Sequence, residues 1–236
     1  MKHPVKYIPN IITLSNLLCG CLGILAASRG NLEMAAYFIW IAALLDFADG
    51  LVARALKAYS TIGGDLDSLA DMVSFGVLPS FIMFYLIEDA LVGQYTWLAY
   101  LAFTIATFSA LRLAIFNVDT QQTDKFIGLP TPSSAMLVSS LPLGTLVWFQ
   151  ELVANPVFLI GLALVDAYLL VANIELLAFK FKNYSWAENK LKYIFIIVSI
   201  TLFISLKSIA IPIVLVFYIL VSVIVSTKST SEPKTE

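Results

Sequence analysis

Apolar runs long enough to cross a bilayer follow one another almost without a break from residue 11 to residue 227. A helix needs about 20 mostly apolar residues to span the hydrocarbon core. Candidate spans fall at 11–28, 32–52, 68–87, 95–116, 133–148, 156–179, 193–206 and 208–227, the seventh being short. Composition agrees with this reading: 60% of residues are apolar or aromatic and only 13% are charged, against about 25% in an ordinary soluble domain. Mean hydropathy is +0.89. So few polar residues cannot cover the outside of a globule in water, which excludes soluble enzymes and disordered chains. The net charge of −2 leaves no basic patch for nucleic acid. The expected class is an all-α polytopic membrane protein.

Only two cysteines occur, Cys19 and Cys21. Residues two apart on a helix do not face each other, so they read as small side chains of a membrane helix. The first apolar run lacks a small-residue cleavage site and carries Thr13, Ser15 and Asn16, so it reads as a span and not as a cleaved signal. With eight spans and the N-terminus inside, twelve of the fourteen lysines and arginines fall on one side, leaving Arg29 and Lys207 on the other. That bias puts both termini in the cytoplasm. Residues 1–227 form one transmembrane domain, and 228–236 form a polar tail.

Ionisable residues inside spanning helices are costly and mark function by default. Here they crowd into one stretch, with Asp46, Asp49, Gly50, Ala53 and Arg54 on the second helix and Asp67 and Asp71 on the third. Spacings of three and four put each set on one helix face. The segment between them, with Gly63-Gly64, reads as a cytoplasmic turn that folds the two helices back to back. Four carboxylates then converge and cannot all stay ionised without countercharge. An oxygen-rich, histidine-free cluster suits Mg²⁺ or Mn²⁺, and two such ions suit phosphoryl transfer. Gly50 and Ala53 leave room for phosphates, and Arg54 offers a bidentate phosphate contact. Asp166 and Glu175, in the sixth candidate span, fit interhelical hydrogen bonding as well as function.

The stretch DFADGLVARALKAYSTIGGDLDSLAD matches D-x2-D-G-x2-A-R-x8-G-x3-D-x3-D at every fixed position, and so resembles the CDP-alcohol phosphotransferases. IPNIITLSNLLCG, DSLADMVSFGVLP, RLAIFN and FIGLPTPSSA are similar to segments of the membrane-integrated, serine-using members of that family from bacteria and archaea. The resemblance implies a six-helix core with extra C-terminal helices, a homodimer, and CDP-diacylglycerol as donor with CMP as leaving group. It also implies two divalent cations held by Asp46, Asp49, Asp67 and Asp71, with Asp71 doubling as general base. Gly50, Ala53 and Arg54 would contact the CDP moiety, with Asn10, Thr13 and Ser60 completing the nucleotide site. Ile115 stands where the family pattern RLARFN has a second arginine, so no double-arginine clamp is expected.

For the acceptor, Arg112, Asn117 and Lys125 are the candidates to hold serine's carboxylate, with topogenic charge and helix capping as their alternative. Glycerol-3-phosphate or an inositol phosphate as acceptor stays open at this stage. A cation- or proton-coupled transporter using the same aspartates would more naturally show paired broken helices and a midplane site. The favoured reading is phosphatidyl transfer to L-serine at the cytoplasmic face of the cell membrane.

Overall fold

The computed structural model describes residues 7–58, 60–118, 126–176 and 186–231. Helix α1 (Ile8–Ser28) buries Pro9, Thr13, Asn16, Gly20, Gly23 and Ala27, positions alternately four and three apart that form one stripe. Small residues on that stripe let neighbouring backbones approach, the usual basis of helix packing in membranes. Helix α2 (Leu32–Leu56) folds back along α1 through a short turn at Gly30 (φ +78°), and the Asn31 side chain caps it by accepting from Met34 N–H at 3.0 Å.

Helix α3 (Gly63–Asp71) runs through a π-helical turn (Met72–Val77) into α4 (Leu78–Ala90) as one 28-residue stretch. A Cβ on Gly20 would lie 2.6 Å from Ser74 Oγ and 3.0 Å from its Cα, so only glycine allows α1 this close to the π turn. A 3₁₀ segment (Thr96–Phe103) continues into α5 (Thr104–Val118), which packs on the π turn. Ile39, Phe75, Leu78, Ile82, Met83, Ile105 and Val138 form the centre of the core.

The C-terminal half departs from the expected spans. Helix α6 (Thr131–Ser140) stops where a span over 133–148 was expected to continue, because Pro142 cannot carry a helix on. Helix α7 (Val147–Val153) is bent by 76° from α8 (Pro156–Val171), whose Asn155 cap accepts from the N–H groups of Val157 and Phe158. Helix α8 ends eight residues before residue 179; beyond it, β2 (Glu175–Leu176) pairs with β1 (Phe126–Ile127). Glu175 therefore lies past the helix, not within a span.

Helices α9 (Trp186–Leu206) and α10 (Ala210–Ser231) meet at Lys207, where φ is +51°. Phe195 and Phe217 stack with centroids 5.6 Å apart. Twenty-two residues of continuous helix would separate them by about 33 Å, so the chain doubles back there as a hairpin. Helix α10 also continues through Ser231, so the expected tail beginning at residue 228 starts as helix. Among the described residues, five helical stretches are long and apolar enough to cross a membrane, or six if α7 and α8 act together, with 192–222, which holds the α9–α10 hairpin, counted as one; the eight expected spans are not all separate full-length helices.

Candidate active site

Helix α2 ends in a Schellman-type cap in which Lys57 takes the left-handed conformation (φ +48°), with Ala58 N–H bonding Ala53 O at 3.0 Å and Lys57 N–H bonding Arg54 O at 3.3 Å. The turn thus lies between Leu56 and Gly63, inside the expected stretch between the helices, and Gly63-Gly64 are the first residues of α3. Gly63 sits beside Ser60 and Asn10: a Cβ there would lie 3.6 Å from Ser60 Cβ and 4.0 Å from Asn10 Oδ1.

Helices α2 and α3 both pack on α1 and not closely on each other, which still brings Asp46, Asp49 and Asp67 together, with one carboxylate oxygen of each within 4.8 Å of the others. Asp71 does not join that set; it lies one turn deeper, buried, with Oδ1 accepting from Asn16 Nδ2 at 3.3 Å. Three residues of α1 at i, i+3 and i+6 each meet a different part of the motif stretch. Asn10 donates to Ser60 Oγ (3.4 Å), Thr13 to Asp49 Oδ2 (2.6 Å) and Asn16 to Asp71. Thr13 also has Pro9 O within reach at 3.0 Å. The Arg54 guanidinium lies across Gly50, 3.6 Å from where a Cβ would stand, so an anion approaching the bare α2 backbone there meets the arginine at once.

The residues present suit a hard divalent cation. Asp67 Oδ1 is buried with no hydrogen-bond partner, its neighbours are carboxylates, and oxygen-only donors are what Mg²⁺ and Mn²⁺ prefer.

On α5, Asn117 Nδ2 donates to Ser68 Oγ at 2.8 Å, which ties the end of α5 to α3. A Cβ on Gly76 would lie 3.1 Å from Ser109 Cβ. These two contacts run antiparallel, tying α3 and the π turn to α5. Arg112 is buried, with its guanidinium carbon 5.5 Å from the Phe116 ring centroid. Lys125 lies outside the described residues. Asp166 is away from this group: its Oδ2 accepts from Ser134 Oγ at 2.5 Å, an α8–α6 hydrogen bond. Sequence reasoning passed over Asn16 and Ser74; the three-residue spacing of Asn10, Thr13 and Asn16 was the available signal.

Residues 6–144 match the family model described as CDP-alcohol phosphatidyltransferase. The chain belongs to the CDP-alcohol phosphatidyltransferase family, and with its apolar helices it is an integral membrane protein. It is 35% identical to the CDP-diacylglycerol–serine O-phosphatidyltransferase of Bacillus subtilis, over 75% of this chain and 93% of that one. Identity is 38% with the enzyme of that name from Helicobacter pylori strain J99, over 58% of this chain and 57% of that one. It is 34% with the archaetidylserine synthase of Methanothermobacter thermautotrophicus, over 56% of each.

Proposed function

We propose that this chain transfers the phosphatidyl group of CDP-diacylglycerol to the hydroxyl of L-serine, giving phosphatidylserine and CMP. The observation that carries this reading is the convergence of Asp46, Asp49 and Asp67 with Asp71 one turn deeper. The serine enzyme of Bacillus subtilis, similar across nearly its whole length, supports the acceptor.

Serine's oxygen attacks the β-phosphorus of the lipid diphosphate in line. A phosphorus–oxygen bond to serine forms as the one to CMP breaks, and the bonding pair leaves with CMP. Asp71 takes the hydroxyl proton, a contribution of about 10²–10⁴-fold for a positioned base. Asp46, Asp49, Asp67 and Asp71 would hold two Mg²⁺ or Mn²⁺ ions, which supply charge neutralisation and polarisation of the phosphoryl group when bound. Gly50, Ala53 and Arg54 receive the diphosphate, while Asn10, Thr13 and Ser60 shape the nucleotide end. Arg112, Asn117 and Lys125 serve the serine carboxylate. A covalent phosphatidyl-histidine has no support, since His3 is the only histidine and stands outside the motif.

The lysine and arginine bias supports a site facing the cytoplasm from the cell membrane, with both termini on that side. Residues 1–227 act as the catalytic domain, and the enzyme works as a homodimer.

Release of CMP by the purified protein, measured with a panel of acceptors, tests this reading. Serine should support release and yield phosphatidylserine. Release with glycerol-3-phosphate or an inositol phosphate but not with serine would reassign the acceptor, and uptake into vesicles without CMP would remove the enzyme reading.

A further inference from the structure

Asn16 has no place in the aspartate motif, yet α1, α3 and the π turn all meet on it. It is fully buried. Its amide nitrogen holds Asp71 Oδ1 at 3.3 Å, and its backbone carbonyl accepts from Ser74 Oγ at 3.0 Å. Ser74 reaches that carbonyl only because Gly20, one turn further along α1, has no side chain to obstruct it. One short piece of α1 therefore fastens both Asp71, the last residue before the π turn, and Ser74 within it.

Both contacts bear on the direction of one carboxylate. The terminal torsion of an aspartate is broad, so its two oxygens are aimed by whatever holds them. The π turn that follows Asp71 breaks the regular helical frame, as such turns do at functional sites. Asn16 replaces that frame from across the interface. Being neutral, it donates a hydrogen bond without adding a cation that would quench a base or compete with metal ions for the carboxylates.

We propose that Asn16 is a positioning residue for Asp71: its amide occupies one carboxylate oxygen so that the other meets the acceptor hydroxyl, and Ser74 with Gly20 fixes the level at which Asn16 stands. This rests on the reading of Asp71 as the base. Because the residue acts through another, its loss is read in turnover and not in substrate binding.

Asn16→Leu keeps the branching at Cγ, with more bulk, and removes the amide. Its kcat is expected to fall by about 10²-fold, the scale of a misplaced reacting group. At saturating metal the KM values for serine and CDP-diacylglycerol should stay within about twofold, as for an interaction made only in the transition state, while the half-saturating divalent concentration rises because Asp71 is also read as a metal ligand. The thermal midpoint of the metal-free protein should move little. Ser74→Ala should give the same pattern with a loss of about 3–10-fold, as a smaller displacement of the same group. Wild-type kcat at saturating metal in a folded Asn16→Leu overturns the proposal, as does a loss shared equally by kcat and both KM values. If Asn16→Leu does not fold, Ser74→Ala decides, and wild-type kcat there is contradictory. Asp71→Asn separates the two ideas: an active variant sinks the base reading, whereas an inactive one beside a fully active Asn16→Leu sinks this proposal alone.

Discussion

Thr13 of α1 and Asp49 of α2 are joined by a 2.6 Å hydrogen bond between two buried side chains. The bond ties the first helix to the acid cluster and leaves Asp49's other oxygen for a ligand. Partners that orient a metal ligand in this way typically matter by 10–100-fold in affinity or activity.

Thr13→Val, close in shape but without the donor, should therefore raise the half-saturating Mg²⁺ or Mn²⁺ concentration by about tenfold. Turnover at saturating metal should largely recover. A metal titration of CMP release checks this, and an unchanged titration curve would count against Asp49 as a ligand.

Arg54 lies across Gly50 at the open end of the cluster, a geometry suited to a diphosphate. Lysine keeps the charge but not the planar fork. Arg54→Lys should raise the KM for CDP-diacylglycerol by about tenfold, the cost of losing one arm of a bidentate pair, and leave the KM for serine near its original value. Initial-rate kinetics with each substrate varied in turn makes the distinction.

Asp166 is read as structural. Its hydrogen bond to Ser134 joins α8 to α6, and such interhelical bonds are worth about 0.6 kcal/mol on average in membranes, up to about 1.7. Asp166→Ala also leaves a small cavity and an unpartnered hydroxyl, so a loss of about 1–3 kcal/mol is expected. Asp166→Asn keeps an acceptor for Ser134 and should cost less. Thermal unfolding in detergent gives the order, and CMP release per folded molecule should be the same in both variants as in the wild type.

Much of the site was legible because spacing alone decides which side chains share a helix face. Asp46 with Asp49, and Asp67 with Asp71, follow from intervals of three and four, and the first four apolar runs match α1, α2, α3–α4 and the 3₁₀–α5 segment. What spacing cannot supply is the partner across an interface. Asn16 looks like any polar residue in a span until Ser74 and Asp71 are seen against it. It is this contact that sets Asp71 apart from the three acids that converge. The turn falls inside the stretch 54–66 that was expected to hold it, but its limits were not legible: α2 runs to Leu56, past the expected end at residue 52, and is closed by left-handed Lys57, a position for which glycine is the usual sequence signal. Pro142 broke the fifth run in a way hydropathy does not register, whereas the boundary at Lys207 already separates the expected runs 193–206 and 208–227.

Gly128 has φ +76°, and a Cβ there would lie 2.5 Å from Leu170 O. Its N–H bonds Ile174 O at 3.0 Å, and Leu129 N–H bonds Leu169 O at 2.8 Å, so the loop entering α6 is fastened to the end of α8. Gly128→Ala combines left-handed strain with a clash against backbone and should destabilise the protein by about 1–3 kcal/mol. Gly161, with open space around it, is the matched control: Gly161→Ala should be neutral or slightly stabilising on helix propensity.

Direct measurement of Mn²⁺ binding to the metal-free protein, with CDP-diacylglycerol present, tests the central claim that carboxylates from two neighbouring helices form a divalent-cation site. Saturable binding is expected in the wild type and in Asp166→Asn. It should weaken at least about tenfold in Asp49→Asn and in Asp67→Asn, in step with lost CMP release. Equal binding in all four proteins, or undiminished phosphatidylserine synthesis after complete chelation, would contradict it.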